Sequence, residues 1–132
     1  PPRLSGIRMH TYTLVRPEHL NHFGYLFGGQ LLRWVDEFAW LAASREFPRC
    51  RFVTRGMAEV EFRQQVVNGA ILEFDVRREH VGTTSVRYAV EVRAQSPGVP
   101  EPTSVFFTRV AFVNVDTDGR KAPVKGRRPP TA

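Results

Sequence analysis

The sequence holds a single cysteine, Cys50, so no disulfide can form within the chain. That favours a reducing compartment and a cytoplasmic location. No apolar run approaches the roughly 18 residues of a membrane-spanning helix. The opening residues, Pro1-Pro2-Arg3-Leu4-Ser5-Gly6, lack the apolar segment of a signal peptide. The missing initiator methionine suggests a trimmed chain. No internal repeat or low-complexity tract is present. The four histidines, His10, His19, His22 and His80, have no Cys, Asp or Glu cluster of matching spacing, so no metal site is expected. His19 and His22 read as loop histidines. Cys50 follows the helix stop in a Pro-Arg-Cys-Arg stretch and has no histidine placed to pair with it. It reads as a small half-buried residue at a strand start.

What is there is ordinary globular composition, 42% apolar and 24% charged. The 132 residues suffice for one domain, which would hide roughly two-thirds of the surface of its unfolded form. The expected division is one domain over residues 1–119 and a basic, Pro-rich tail over 120–132. The balance of 19 basic against 13 acidic residues leaves a net charge of +6. It fits a soluble basic surface or an anionic partner. Only the tail is dense in positive charge, at Arg120, Lys121, Lys125, Arg127 and Arg128. Elsewhere the arginines are scattered and not interleaved with aromatics on one face. A phosphate-bearing small molecule suits that scatter, and no nucleic-acid partner is expected.

The pattern predicts one strand over Ile7 to Val15, then a loop opened by Pro17 and containing Gly24. A long helix follows from about Gly29 to Phe47 and is stopped by Pro48. The helix is apolar on nearly every side, so it is expected to be buried nearly all round. Four strands follow: Arg51 to Phe62, Ala70 to Val81, Ser85 to Ala94 and Val105 to Val115. In the third of these Val86, Tyr88, Val90 and Val92 alternate, the period of a half-buried strand. The last is apolar on both faces and is expected at the centre of the sheet. One helix with runs of antiparallel strands gives an α+β layer, a curved sheet around a central helix.

Asp36 stands out as a carboxylate in the middle of that apolar helix, costly to bury unless paired or used. Its plainer reading is a place on a narrow polar edge with Arg33 and Glu37. Gly29 precedes it by about two turns, so both lie on one face. The helix start offers unpaired N–H groups and a positive dipole end. Gly28 and Gly29 add no side chain to shield them. A developing oxyanion can bind there, unless the pair is simply a tight turn. Asp36 can act as general base or nucleophile. Asn21, in the preceding loop, can orient water or carbonyl, or can be a turn residue bonding its own backbone.

Asn21-His22-Phe23-Gly24, then Phe27-Gly28-Gly29-Gln30-Leu31, then Asp36 resembles the hotdog-fold acyl-CoA thioesterases. The nearest type includes bacterial short- and medium-chain acyl-CoA hydrolases and the animal cytosolic and brain enzymes. Downstream, Phe62-Arg63-Gln64-Gln65-Val66 with Gly69, Val81-Gly82-Thr83-Thr84-Ser85, Asp118-Gly119-Arg120 and Pro123-Val124 resemble family segments in the same order. The family often has proline where Gln65 and Lys125 stand. The resemblance implies a hotdog fold of about five strands and hydrolysis of acyl-CoA to a free acid and CoA-SH. It implies no cofactor, since CoA is part of substrate and product. It also implies dimers, commonly trimers of dimers (hexamers), with Asn21 of one copy facing Asp36 of another. The helix-end amide role falls on Gly29. Gly28, Gly82, Thr83, Thr84, Ser85 and Arg87 match positions that contact substrate or CoA. Two other readings are carried. A hotdog hydroxyacyl dehydratase or hydratase would use His19 or His22 with a helix carboxylate. A non-catalytic acyl-CoA-binding module would not need Asp36.

Overall fold

The computed structural model describes residues 7–126. The elements are β1 (Arg8–Leu14), a short 3-10 turn (Pro17–His19), α1 (Gly28–Glu46), β2 (Phe52–Phe62), β3 (Ile71–Val81), β4 (Ser85–Gln95) and β5 (Thr103–Asn114). The strands form one antiparallel sheet in the order β1-β3-β4-β5-β2. Helix α1 packs against all five strands. This is the expected α+β arrangement, one long helix against a five-stranded antiparallel sheet.

The alternation in β4 is what turns its face toward the helix. Val86, Tyr88, Val90 and Val92 are buried, while Arg87 is exposed and Glu91 and Arg93 are half-buried on the other side. Phe74 on β3 and Phe106 and Phe112 on β5 complete the floor. Val35, Ala39, Ala42 and Ala43 give α1 a narrow stripe that sits close against it. Each fully buried Val or Phe contributes roughly 1.5–3 kcal/mol.

Two expectations need correcting. The helix is not buried all round within one chain: its stripe is closed, but Trp40 and Leu41 are 41% and 38% exposed. A five-stranded sheet covers one side of a helix, and none of the described residues closes over the other. Strand β5 is interior but not central. It lies between β4 and the edge strand β2, and β4 takes the middle position.

At its C-terminal end α1 carries Glu46, only 4% exposed. A carboxylate there opposes the helix dipole, so it needs strong donors. Arg78 Nη1 donates to Glu46 Oε2 at 2.7 Å, and the Tyr88 hydroxyl donates to Oε1 at 2.6 Å. Burial and the neighbouring carboxylate push the Tyr88 phenol far above its usual range. After β5 the chain turns at Asp116, with Gly119 N donating to the Asp116 carbonyl. The chain beyond it then returns to the body, where Val124 N donates to the Thr83 carbonyl and Lys125 meets the Cys50 thiol. Arg127 and Arg128 lie outside the described residues.

Candidate active site

The loop before α1 is built by Asn21. Its Oδ1 accepts from the N–H groups of Phe23 and Tyr25 at 2.9 and 3.2 Å. Its backbone closes the same turn, with Gly24 in the left-handed region at φ +89. The turn reading of Asn21 is therefore correct for its oxygen. Its Nδ2 has no partner among the described residues. Asn21 can still donate a hydrogen bond to a substrate, but its accepting capacity is committed to the loop.

Helix α1 starts at Gly28 with Phe27 as its N-cap and no side-chain cap. No described residue accepts from the N–H groups of Gly28 and Gly29. A helix end of this kind attracts a partial negative charge. Rings stand close to both glycines, tightly at Gly29 and at ordinary contact distance at Gly28. A methyl group on Gly29 would meet Phe27 Cε2 at 2.7 Å, and one on Gly28 would meet Phe62 Cε1 at 3.4 Å.

Asp36 is half-buried, at the border between the closed stripe and the exposed edge carrying Arg33 and Glu37. Thr54 Oγ1 donates to its Oδ1 at 2.6 Å, in the range of a charge-assisted O–H···O⁻ bond. Thr54 was not among the sequence candidates. The available signal was weak: Thr54 shares parity with the buried Phe52, but is itself exposed.

The Gly82–Ser85 turn is tightly used. Gly82 N donates to the Ser85 carbonyl, the Thr84 carbonyl accepts from Asn114 N, and the Thr83 carbonyl accepts from Val124 N. Arg87 lies on the outer face of the sheet, 3.6 Å from Glu79. Arg109 hydrogen-bonds that glutamate and, with Arg87, holds its carboxyl below the usual carboxylate range despite partial burial. Arg109 also pairs with Glu59.

A single chain does not bring these residues together. At 1.5 Å per residue, Gly29 and Asp36 are about 10 Å apart along the helix axis. Ser85 and Val53 both pair with Val113, whereas Phe62 sits against Gly28 at the far end of β2. Along β2 that is on the order of 30 Å. The uncapped helix end and the Gly82–Ser85 turn thus occupy opposite ends of the chain.

His19 is also committed: its Nδ1 accepts from Arg16 N at 3.0 Å, and its ring edge meets Trp34. His22 is exposed beside Phe23. Among the described residues no three His, Cys, Asp or Glu side chains converge as metal ligands, and no helix is long and apolar enough to cross a membrane.

Residues 23–101 match the model of the thioesterase superfamily. The chain belongs to that family. It is 28% identical over 110 residues to an uncharacterized acyl-CoA thioester hydrolase of Bacillus subtilis, covering 83% of this chain and 63% of that one. The chain therefore spans less than two-thirds of that relative's length. Among solved structures, an apo-hexameric acyl-CoA thioesterase superposes with a TM-score of 0.83 at 31% identity, over 92% of this chain and 78% of the other. An acyl-CoA hydrolase of Staphylococcus aureus, solved with butyryl-CoA and CoA, gives 0.81 at 25%, over 92% and 74%. The fold is the hotdog fold of those enzymes.

Proposed function

We propose that this chain hydrolyses acyl-CoA thioesters to the free acid and CoA-SH, at sites shared between two copies. The carrying observation is Asp36, a carboxylate held by Thr54 at 2.6 Å on a helix whose first-turn amides are uncapped. The similar hydrolase solved with butyryl-CoA and CoA supports the substrate class.

The thioester carbonyl oxygen is held by the Gly29 N–H and by the Asn21 amide. Those donors strengthen as the oxygen becomes an oxyanion. Asp36 of the opposite copy removes a proton from the attacking water, or attacks the carbonyl itself to form an anhydride that water then opens. The new C–O bond gives a tetrahedral oxyanion, whose collapse breaks the C–S bond, and CoA leaves as a thiolate. A thiolate leaves readily, so no strong acid is required of the site. These steps need no metal or redox cofactor. Gly28, the Gly82–Ser85 turn and Arg87 contact the substrate, the turn and arginine on the CoA side.

Sharing follows from the separations within one chain. Among the described residues β2 pairs only with β5, which leaves its other edge open. A two-fold axis across that edge reverses strand direction. The helix start of one copy then approaches the Asp36 and Gly82–Ser85 end of its partner. The dimer is the working unit, and a trimer of dimers agrees with the similar hexameric thioesterase. The catalytic unit is one hotdog domain acting in the cytoplasm, and the segment running to Lys125, bonded to the Thr83 carbonyl and the Cys50 thiol, packs with it.

A thiol-release assay over an acyl-CoA panel tests the proposal. Asp36→Ala removes nearly all turnover and Asn21→Ala a large part, and light scattering reads a dimer or a larger assembly. Wild-type rates in Asp36→Ala, or a fully active monomer, would sink it.

A further inference from the structure

The β3–β4 turn and the chain that returns after β5 are joined through Asn114, the last residue of β5 and only 2% exposed. Every polar group of Asn114 is used. Its N–H donates to the Thr84 carbonyl at 2.8 Å, and its carbonyl accepts from Ala122 N at 2.9 Å. Its Oδ1 accepts from Arg51 N at 2.7 Å, and its Nδ2 donates to the carbonyls of Ala122 and Pro123 at 3.3 and 2.9 Å. Just beyond, Val124 N donates to the Thr83 carbonyl at 2.8 Å, and the Val124 side chain packs against the core. The returning segment is thus strapped to the carbonyl side of the turn.

The strap decides which groups of the turn stay available. With the carbonyls of Thr83 and Thr84 engaged, the N–H groups of both residues and the hydroxyls of Thr83, Thr84 and Ser85 have no hydrogen-bond partner among the described residues. Thr83 is exposed, and Thr84 and Ser85 are half-buried. Successive free N–H groups in a turn attract an anion.

We propose that Asn114 is a positioning residue for CoA recognition. It holds the 121–125 strap, and the two together fix the Gly82–Ser85 turn with its donors free for the phosphate groups of CoA. The inference rests on the acyl-CoA hydrolase reading. Asn114 acts through the carbonyls of Thr83 and Thr84. A peptide released from such a hold can flip and present a carbonyl oxygen where an N–H stood, which turns attraction of a phosphate into repulsion. The phosphates lie in the part of CoA remote from the thioester, so the loss falls on binding and not on the chemical step.

The test is thiol release from butyryl and octanoyl groups carried either on CoA or on N-acetylcysteamine, a thiol without phosphate. Wild type is compared with Asn114→Asp and Val124→Pro. The first keeps an acceptor for Arg51 N and loses the donors to the strap; the second keeps Asn114 and removes the N–H that holds the Thr83 carbonyl. In both variants KM for acyl-CoA is expected to rise roughly tenfold, the weight of one lost bond to a charged group. The inhibition constant of free CoA rises by the same factor. kcat with acyl-CoA and kcat/KM with the phosphate-free thioester stay within about twofold. A loss of folded protein lowers kcat for both substrates alike and leaves KM and the inhibition constant untouched. Wild-type KM and inhibition constant in both variants, or a wild type that does not favour the CoA thioester, overturn the positioning role and leave the hydrolase reading standing. Failure of the wild-type chain to release thiol from any of these substrates overturns the hydrolase reading, and the role of Asn114 with it.

Discussion

Replacing Thr54 by valine removes one hydroxyl and keeps the branched shape. Thr54 is exposed on an edge strand and fills no core position, so the variant should still fold. Its effect should fall on Asp36. The bond lost is a 2.6 Å contact to a carboxylate oxygen, and bonds to charged groups contribute about 1.5–3 kcal/mol. With tenfold in rate per 1.36 kcal/mol, kcat is expected to drop roughly 10- to 150-fold. Thr54 is a positioning residue: it touches Asp36 and acts through it. KM should therefore stay within about twofold, and Thr54→Ser, which restores the hydroxyl, should recover most of the rate. In an Asp36→Ala background the valine should add nothing, because the pair acts as a unit. The assay is steady-state thiol release on one acyl-CoA with all variants. A Thr54→Val enzyme with wild-type kcat, or one that loses only KM, refutes the reasoning.

Two further outcomes concern stability. Glu46→Ala takes the acceptor from the buried Tyr88 hydroxyl and a carboxylate from Arg78; removing one member of such a pair costs about 3–5 kcal/mol. At roughly 4 °C per kcal/mol for this size, calorimetry should show Tm lower by about 12–20 °C, and a fall below 4 °C would contradict the role given to the pair. Asp75 is 3% exposed, and burial alone would raise its pKa; the paired bonds and charge of Arg8, with His10 and Arg93, outweigh burial and hold it below the usual carboxylate range. The folded value lies below the unfolded one of about 4, so the stabilisation is present above pH 4 and is lost as pH falls through the folded value. Denaturant midpoints from pH 7 to pH 2 should fall less steeply in Asp75→Asn than in wild type.

The features legible in the sequence were local ones. The β4 alternation of Val86, Tyr88, Val90 and Val92 named its buried face, and Pro48 marked the helix end to within about a residue. Asp36 was visible because a carboxylate is out of place among Trp34, Val35 and Phe38. The unreadable part was long-range. Thr54 meets Asp36 only because β2 folds back along the helix, and Glu46 finds Arg78 and Tyr88 on two other strands. Nothing near Glu46 in sequence marks it as buried. The exposure of the helix is hidden in the sequence for a related reason. An apolar surface shows that cover is needed, but not whether the same chain supplies it, and Trp40 and Leu41 lie on the side it leaves open.

The open edge of β2 has a consequence for solubility. It is eleven residues long and presents Val53, Val60 and Phe62 at 48%, 42% and 55% exposure. An unpaired edge of that length and character is a template on which any extended chain can add and aggregate. Two register breaks, between Thr54 and Gly56 and between Ala58 and Glu61, bend it, and Glu59 sits at a positive φ of 58. Arg55, Glu59 and Glu61 charge it. A passing strand must follow both bends and match those charges to dock. An identical strand running the other way carries the same bends by symmetry. The edge is therefore sticky and fastidious at once, and a substitution that straightened it would show first as precipitation during expression.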